Sequence, residues 1–182
     1  MLSEQELIKG CANGNKVLQK ALYDRYCRKM MATCLRYARS TQEAEDILQE
    51  GFLKIFGNIK SFRAEAKLET WITRIMINTA LNSLRQKLYM LPMVDVNDLQ
   101  LPEAEGMNLS DFNLAELIAI VQSLPDGCRV VFNLFAIEGY GHKEIAQMLG
   151  ISEGTSKSQY NRAKVLLRAK LIQEEGRYER FK

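Results

Sequence analysis

The chain has 182 residues and a formal net charge of only +3, and hydrophobic residues make up 47% of it. That length suits one domain of generous size or two small ones, each with a modest core. The charge is too small to indicate a nucleic-acid partner by itself. No apolar run approaches the roughly 18 residues of a membrane span, and no signal peptide is recognisable, so we expect a cytoplasmic protein.

The cysteine and histidine pattern argues against a metal or cofactor site. Cys11, Cys27, Cys34 and Cys128 form no CxxC pair, and His142 is the single histidine. Zinc sites need several nitrogen or thiolate ligands at close spacing, so we expect no metal and no cofactor. Disulfides are not expected in the reducing cytoplasm, and Cys27 and Cys34 are interpreted as core thiols.

The N-terminal half is predicted to be helical throughout. Ser3 and Glu6 form a capping-box pattern that opens a short helix ending near Ala12. Asn15 is a predicted cap for a longer second helix. The apolar side of that helix is predicted to comprise Val17, Leu18, Leu22, Tyr26, Met30 and Leu35.

Thr41 opens a predicted third helix with two different faces. Its packing stripe comprises Ala44, Ile47, Leu48, Ile55 and Phe56, and its polar face comprises Glu43, Asp46, Gln49 and Glu50. Because such an acidic face would repel phosphate, it is expected to meet water or a protein that carries basic groups. The pattern alone favours water.

A basic stretch follows the acidic face. Lys54, Lys60, Arg63, Lys67, Arg74, Arg85 and Lys87 are opposed in this stretch only by Glu65 and Glu69. A fourth helix is predicted from about Leu68 to Tyr89, with Trp71, Ile75, Ala80, Leu81 and Leu84 mostly inward. Lys67, Arg74, Asn78, Asn82 and Arg85 are among its polar positions.

The middle of the chain has the composition of a flexible acidic linker. Residues 88–116 contain no Lys or Arg, while Pro92 and Pro102 interrupt any regular structure. Six acidic side chains fall there: Asp95, Asp98, Glu103, Glu105, Asp111 and Glu116. We therefore predict an all-α protein of two small helical domains, residues 1–90 and 111–182, joined by the linker 91–110.

The C-terminal domain contains a helix-turn-helix pattern. A helix is predicted from near His142, with Ile145, Met148 and Leu149 on one face. Gly150 suits the left-handed end of that helix, and Ser152 suits the cap of the next one. The turn between the two helices is therefore short.

The second of these helices has one packing side and one basic side. Its packing side comprises Tyr160, Ala163, Leu167 and Leu171, and its other side carries Lys157, Ser158, Asn161, Arg162 and Arg168. Helix-turn-helix proteins place such a helix in the major groove, where Asn pairs with adenine and Arg or Lys with guanine or phosphate. The alternative is a solvated basic helix in an ordinary bundle.

Two longer stretches resemble a known family. AEDILQEGFLKIF from Ala44 to Phe56 and KLETWITRIMINTALNSLR from Lys67 to Arg85 are similar to the second conserved region of bacterial sigma factors. The helix-turn-helix resembles their fourth region. A short linker stands where larger sigma factors carry a third domain, which is typical of the extracytoplasmic-function (ECF) subfamily.

The resemblance implies roles for particular residues. Asp46, Gln49 and Glu50 match the family's surface for the clamp helices of the largest polymerase subunit, which favours a docking role for the acidic face. Residues 60–67, which include Lys60, Phe62, Arg63 and Lys67, match the loop that holds a flipped base of the minus-ten element. Asn78, Asn82 and Arg85 match the helix beside that loop, and the basic side of the last helix matches the minus-thirty-five reader.

Some positions depart from the family or stay open. Asn82 stands where Asp is usual, a departure that bears on the base preference and on the pairing of Arg85. Ser156 occupies an inward position that is apolar in many relatives; a hydroxyl there could bond back to the helix or touch DNA, and the sequence assigns it neither role. Phe62 is expected to cover an unstacked base or to plug the helix junction. Trp71 is interpreted as core or as an aromatic at the site of strand separation.

The implied function is non-enzymatic. The chain would direct core RNA polymerase to promoters as a monomer, reading the minus-thirty-five duplex and the melted minus-ten strand. Relatives are often held inactive by an anti-sigma protein, commonly membrane-anchored, so such a partner is implied here too.

Three other classes of protein are compatible with parts of this pattern. A stand-alone helix-turn-helix regulator would normally dimerise and would need no acidic docking face. An enzyme is disfavoured because the chain has no Gly-rich phosphate loop, HExxH motif or nucleophile elbow. A helical adaptor would share the amphipathic faces but would lack salt-dependent affinity for DNA.

Overall fold

The computed structural model describes residues 2–88 and 114–178, and every regular element in those ranges is a helix. The all-α prediction is therefore confirmed. The chain divides into two compact units, Met1–Ser83 and Leu84–Lys182. The predicted linker 91–110 lies outside the described residues, so the domain limits 1–90 and 111–182 stay predictions.

The first unit is built from four α-helices and a 3-10 turn. Their bounds are α1 Glu4–Ala12, α2 Lys16–Tyr37, α3 Thr41–Asn58, the 3-10 turn Ile59–Ser61, and α4 Leu68–Leu88, whose last residues extend past this unit. Tyr89, the predicted end of α4, lies outside the described residues.

Side-chain caps explain where these helices begin. Ser3 Oγ accepts a hydrogen bond from the Glu6 backbone at 3.2 Å while the Glu6 carboxylate accepts one from the Ser3 backbone at 2.7 Å, which completes the predicted capping box. Asn15 Oδ1 accepts from the backbone of Val17 at 3.0 Å and so caps α2 as predicted. Ser40 caps α3 by accepting from the Glu43 backbone at 3.1 Å.

The core of the first unit corrects one prediction about α2. Leu22 and Met30 are fully buried, but Val17, which was predicted to lie on the same apolar side, is 76% exposed. At about 100° per residue Val17 lies roughly 140° around the helix from Leu22, so it faces solvent instead of the core. The core-thiol prediction holds for Cys34, which is 1% exposed, and only partly for Cys27, which is half-buried.

The second unit holds the helix-turn-helix. Its elements are α5 Leu114–Gln122, α6 Asp126–Phe132, a π-helical turn Asn133–Ile137, α7 His142–Leu149 and α8 Glu153–Tyr178. The long helix α8 packs on α5 and α6 through a buried cluster of Ile120, Leu124, Cys128, Ala163 and Leu167.

A buried ion pair holds the turn between α5 and α6. Arg129 Nη2 donates to Asp126 Oδ1 at 2.6 Å, and its Nη1 donates to the backbone carbonyls of Gln122 and Leu124 at 3.1 and 3.3 Å. The Arg129 and Asp126 side chains are at most 3% exposed. Because a buried guanidinium needs several acceptors, these bonds fix the position of α5 on α6 and so support the platform under α8.

Within residues 2–88 and 114–178, no helix combines the length and the apolar composition that crossing a bilayer requires.

Candidate partner- and nucleic-acid-binding surfaces

The acidic face of α3 is exposed. Asp46, Gln49 and Glu50 point to solvent while Ala44, Ile47 and Leu48 are buried on the opposite side of the helix. The spacing i, i+3, i+4 places the three polar side chains in one stripe. The exposure of these three side chains that the sequence pattern predicts is therefore present in the structure, and their docking role stays a prediction.

One carboxylate of the stripe is tied to the neighbouring helix. Lys54 Nζ lies 2.6 Å from Glu50 Oε1 and donates at 3.4 Å to Thr79 Oγ1 on α4. The ion pair offsets part of the negative charge of Glu50 and restricts where its carboxylate points. Asp46 is not held in this way by any ion pair that the structure records.

Leu53 extends the stripe, and the sequence analysis missed it. It follows Glu50 by three residues and is 72% exposed, although most leucines in the first unit are buried. The signal that would have found it is the continuation of the series 46, 49, 50 to position 53, the i+7 position on the same helical face. We call Asp46, Gln49, Glu50 and Leu53 the docking face.

A pair of aromatic side chains marks the loop between α3 and α4. The rings of Phe62 and Trp71 lie 5.3 Å apart at an interplanar angle of 55°. Both side chains are half-buried. Phe62 therefore packs on Trp71 and keeps part of its ring accessible, so the geometry accommodates a structural plug and a base-contacting surface together.

Three exposed basic side chains lie close to this aromatic pair along the chain. Lys60, Arg63 and Lys67 are all exposed. Between them, Ala64 adopts a φ of 56°, the left-handed region that costs a residue with a side chain about 1–2 kcal/mol. The loop thus holds a strained backbone, which indicates that its surroundings fix its shape.

The exposed side of α4 continues the polar surface. Arg74, Asn78 and Asn82 are exposed at successive i+4 positions, while Met76 and Ala80 on the other side are buried. The side chain of Arg85 lies outside the described residues. The structure therefore shows that Asn78 and Asn82 share a face and leaves the predicted role of Arg85 a prediction.

The turn of the helix-turn-helix forms as its residues predict. Gly150 ends α7 with a φ of 69° in the left-handed region. Ser152 Oγ accepts from the Thr155 backbone at 2.9 Å and caps α8. At the other end of α7, the Gly141 backbone donates to the Glu144 carboxylate at 2.8 Å.

The predicted recognition residues differ in exposure. Lys157 and Asn161 are exposed, whereas Ser158, Arg162 and Arg168 are half-buried. Ser158 Oγ already donates to the Thr155 carbonyl at 3.0 Å, so its hydroxyl would have to share or exchange that bond to contact a base. All five residues lie on the side of α8 away from buried Ala163 and Leu167.

The first cation of α8 is paired within the helix. Lys157 Nζ lies 2.7 Å from Glu153 Oε1. The hydrogen bond from Lys157 lowers the pKa of the Glu153 carboxyl, with a smaller contribution from the positive charge of that lysine. Glu153 also suits the positive end of the α8 dipole.

Ser156 is the polar residue that sequence reasoning left open, and the structure places it inside. It is fully buried, and its Oγ lies 2.9 Å from Nδ1 of His142 on α7. The expectation that it could touch DNA is therefore wrong, because α8 turns this side chain toward α7. The bond of Ser156 to His142 joins α8 to α7, so it also differs from the bond within α8 that the sequence left open.

The cysteines show no sign of reactivity at this surface. All four are free thiols, and Cys11, Cys34 and Cys128 are buried. Burial raises the pKa of the Cys34 thiol to about 12 and raises that of Cys11 and Cys128 as well. Since the thiolate is the reactive form, these three side chains behave as small core residues.

Comparison with known proteins identifies two conserved regions. Residues 22–88 match the family model Sigma-70 region 2, and residues 114–167 match the model Sigma-70, region 4. The docking face, the loop and α4 fall in the first match, and most of the recognition helix falls in the second.

Individual proteins give the same result. The chain is 29% identical to an ECF RNA polymerase sigma-E factor of Haemophilus influenzae over 93% of this chain and 96% of that protein. It is also 29% identical to an RNA polymerase sigma-H factor of Pseudomonas aeruginosa, covering 88% of this chain and 90% of that one.

A solved structure shares the fold. The sigma factor RpoE from Bartonella quintana, crystallised with the anti-sigma factor NepR, has a TM-score of 0.52 and 19% sequence identity, covering 85% of this chain and 96% of that chain. Two matched regions in the right order, and full-length similarity to named sigma factors, establish the family. The chain belongs to the sigma-70 family of RNA polymerase sigma factors, in the ECF group, and is a non-enzymatic transcription initiation factor that directs the polymerase to promoters.

Proposed function

We propose that the docking face of α3 is the surface through which this chain binds core RNA polymerase. Phosphate would repel the carboxylates of Asp46 and Glu50 and would gain no ionic attraction from the amide of Gln49. A protein surface with basic groups is therefore a more favourable partner for this face than DNA. Leu53, at one end of the stripe formed by Asp46, Gln49 and Glu50, supplies an apolar group that such an interface can bury. The exposure of all four residues along one helical stripe is the observation that carries this proposal.

The loop and α4 are proposed to capture the melted minus-ten strand. Lys60, Arg63 and Lys67 attract the phosphate backbone, and the accessible part of Phe62 offers a stacking surface for an unpaired base. Base capture then offsets the cost of unstacking, on the order of a few kcal/mol. Asn78, Asn82 and Arg85 would supply polar contacts beside the captured base.

The recognition helix α8 is proposed to read the minus-thirty-five duplex. Its exposed side carries the donors that pair with base edges in the major groove, and a cation that meets phosphate contributes affinity without sequence preference. The residues assigned to this role are Lys157, Ser158, Asn161, Arg162 and Arg168.

Two modest DNA contacts are enough if both are held on one polymerase. Joining two readers raises the effective concentration of the second contact to roughly the millimolar range, provided that the segment between them spans the gap. We infer that residues 91–110 serve as that segment. The chain would act as a monomer in the cytoplasm, where the polymerase performs all the chemistry.

An anti-sigma protein is proposed as the regulatory partner. The Bartonella sigma factor that shares this fold was crystallised with one. A protein that covered the docking face of this chain would exclude the polymerase directly, whether or not it is anchored in a membrane.

The docking proposal is tested by reversing the charge of the face. Gln49→Lys combined with Glu50→Lys should abolish co-purification with core polymerase and leave the helical circular dichroism unchanged, because exposed charges seldom affect folding by much. Gln5→Lys combined with Asp24→Lys is the matched control, since both residues are exposed in the first unit and the charge changes by the same amount. Wild-type binding by the α3 double variant would refute the proposal.

A further inference from the structure

The single histidine of the chain contacts the recognition helix at two points that are one turn apart. His142 Nδ1 lies 2.9 Å from Ser156 Oγ, and its ring centroid lies 5.8 Å from that of Tyr160. Ser156 and Tyr160 stand at i and i+4 on α8, so they share the face that α7 covers. A contact at two such points constrains both the rotation and the position of one helix against the other.

The imidazole is also held in place by an aromatic side chain of the π-helical turn. The Phe135 ring stacks on it with centroids 4.3 Å apart and an interplanar angle of 12°. Phe135 also packs against Tyr160 at 4.5 Å. The orientation of the His142 ring is therefore set by two aromatic neighbours before its hydrogen bond is considered.

The Ser156 hydroxyl has a reason to keep this bond. Ser156 is fully buried. Removing its hydrogen-bond partner would leave the hydroxyl buried without a bond, which destabilises the folded state by the cost of desolvating that group. The contacts that Ala163 and Leu167 of α8 make in the buried cluster are apolar and non-directional. Directional bonds join α8 to its neighbours at two places: Ser156 contacts His142, and Gln159 Oε1 accepts from the Cys128 thiol at 3.0 Å. Directional bonds among apolar contacts favour one register, a use of buried polar pairs that is well attested in helical assemblies.

We propose that His142 is a positioning residue for minus-thirty-five recognition. Its bond to Ser156 fixes the rotation of α8 about its own axis, and that rotation decides where Lys157 and Asn161 point. Groups on the helix surface lie about 5–6 Å from the axis, so a rotation of about 20° moves them by about 2 Å. Such a shift exceeds the tolerance of a hydrogen bond to a base edge.

The inference rests on the proposed reading of the minus-thirty-five element by α8, so the test uses the full chain in holoenzyme. The probes are a linear duplex selected by wild-type holoenzyme from a randomised library and the same duplex with its minus-thirty-five bases scrambled. Ser156→Val and Ser156→Thr form the matched pair, because they have the same shape and differ only in the hydroxyl. Thr should keep the wild-type preference for the selected duplex, and Val should lower it about tenfold, the factor expected for about 1.4 kcal/mol.

A spectroscopic readout separates positioning from general stability. Because the chain has one histidine, its ring nitrogen signals in ¹⁵N NMR need no assignment among residues. The Nδ1 signal should be nearly the same in the wild type and Ser156→Thr and should shift in Ser156→Val. If the Val variant fails to fold, Ser156→Ala and His142→Phe take its place in both measurements.

The outcomes distinguish this inference from the function on which it rests. Suppose that the wild type discriminates between the two duplexes. Equal preference of the Val and Thr variants for the selected duplex, or the same Nδ1 chemical shift in all three proteins, would then overturn the positioning role. A wild-type holoenzyme that shows no minus-thirty-five preference would instead refute the proposed reading by α8.

Discussion

Lys157 Nζ lies 2.7 Å from Glu153 Oε1, one turn earlier on α8, so the first cation of the proposed recognition surface is already paired within the chain. Both side chains are about half exposed, at 58% and 48%. DNA bound at the proposed surface would therefore compete with Glu153 for this lysine, and the carboxylate would repel its phosphates.

Glu153→Gln should strengthen binding to duplex DNA of any sequence. Removing the carboxylate frees Lys157 and removes a repulsion, so affinity should rise up to about fivefold at low salt. Fluorescence anisotropy across a salt series measures this. The ratio of specific to non-specific affinity should fall, since the gain is largely independent of sequence.

Asp24→Asn is the matched control for that change. Asp24 forms an exposed i, i+4 pair with Lys20 at 2.5 Å, but on α2, which carries no proposed DNA contact. Its substitution should leave DNA affinity unchanged. Equal affinities of the Glu153→Gln variant and the wild type at every salt concentration would contradict the position of Glu153 at the DNA surface.

Leu53→Asp should weaken polymerase binding at least about tenfold. Full burial of a leucine side chain is worth about 1.5–3 kcal/mol, and a carboxylate in its place would have to be desolvated. Val17→Asp is the control, because Val17 is equally exposed, at 76% against 72%, and lies outside the docking face. Surface plasmon resonance with immobilised core polymerase compares the two; equal losses would show that Leu53 has no special part in docking.

The loop from Lys60 to Lys67 should matter for strand opening more than for initial binding. Changing Phe62, Arg63 and Lys67 together to Ala should impair transcription from a linear duplex promoter. A template whose minus-ten bases are already unpaired should recover part of the loss, because premelting removes an unstacking cost on the order of a few kcal/mol. Permanganate footprinting of unpaired thymines measures strand opening. Normal opening by the triple variant would contradict the role of the loop in strand opening.

Two glycines should respond in opposite directions to the same substitution. A Cβ built on Gly10 would lie 1.9 Å from Leu18 Cδ1 and 2.9 Å from Leu18 Cβ, so Gly10→Ala should destabilise the first unit by about 1–3 kcal/mol through overpacking. Gly57, on α3, has nothing within 4 Å of such an atom. Gly57→Ala should therefore raise the free energy of unfolding by up to about 1 kcal/mol. Thermal melting measures both variants. Melting temperatures that change in the same direction for Gly10→Ala and Gly57→Ala would contradict the packing of α1 on α2.

Local signals explain most of what the sequence could predict. The caps at Ser3, Asn15 and Ser152 and the left-handed Gly150 depend on neighbours within a few residues, and each forms in the structure as predicted. The exposed acidic stripe of α3 follows from helical periodicity alone. These features could be predicted because a single helix or turn determines them.

The features that the sequence did not reveal depend on distant neighbours or on phase. The bond between His142 and Ser156 joins residues 14 positions apart, and only the packing of α7 on α8 brings them together. Val17 was assigned to the apolar side of α2 because it is hydrophobic, but its angular position around the helix decides its burial. Leu53 was missed because an apolar residue on a helix is expected to be buried. It is exposed because it lies on the same face of α3 as Asp46, Gln49 and Glu50.

The most direct test of the central claim is promoter-specific transcription by purified core polymerase supplied with this chain. On a linear fragment that wild-type holoenzyme selects from a randomised library, addition of the chain should produce run-off transcripts with one defined start, and core polymerase alone should produce none. The Gln49→Lys, Glu50→Lys variant should also produce none, because the polymerase is not engaged. A defined start that appears equally with the wild type and that variant, or no defined start with the wild type, would contradict the account.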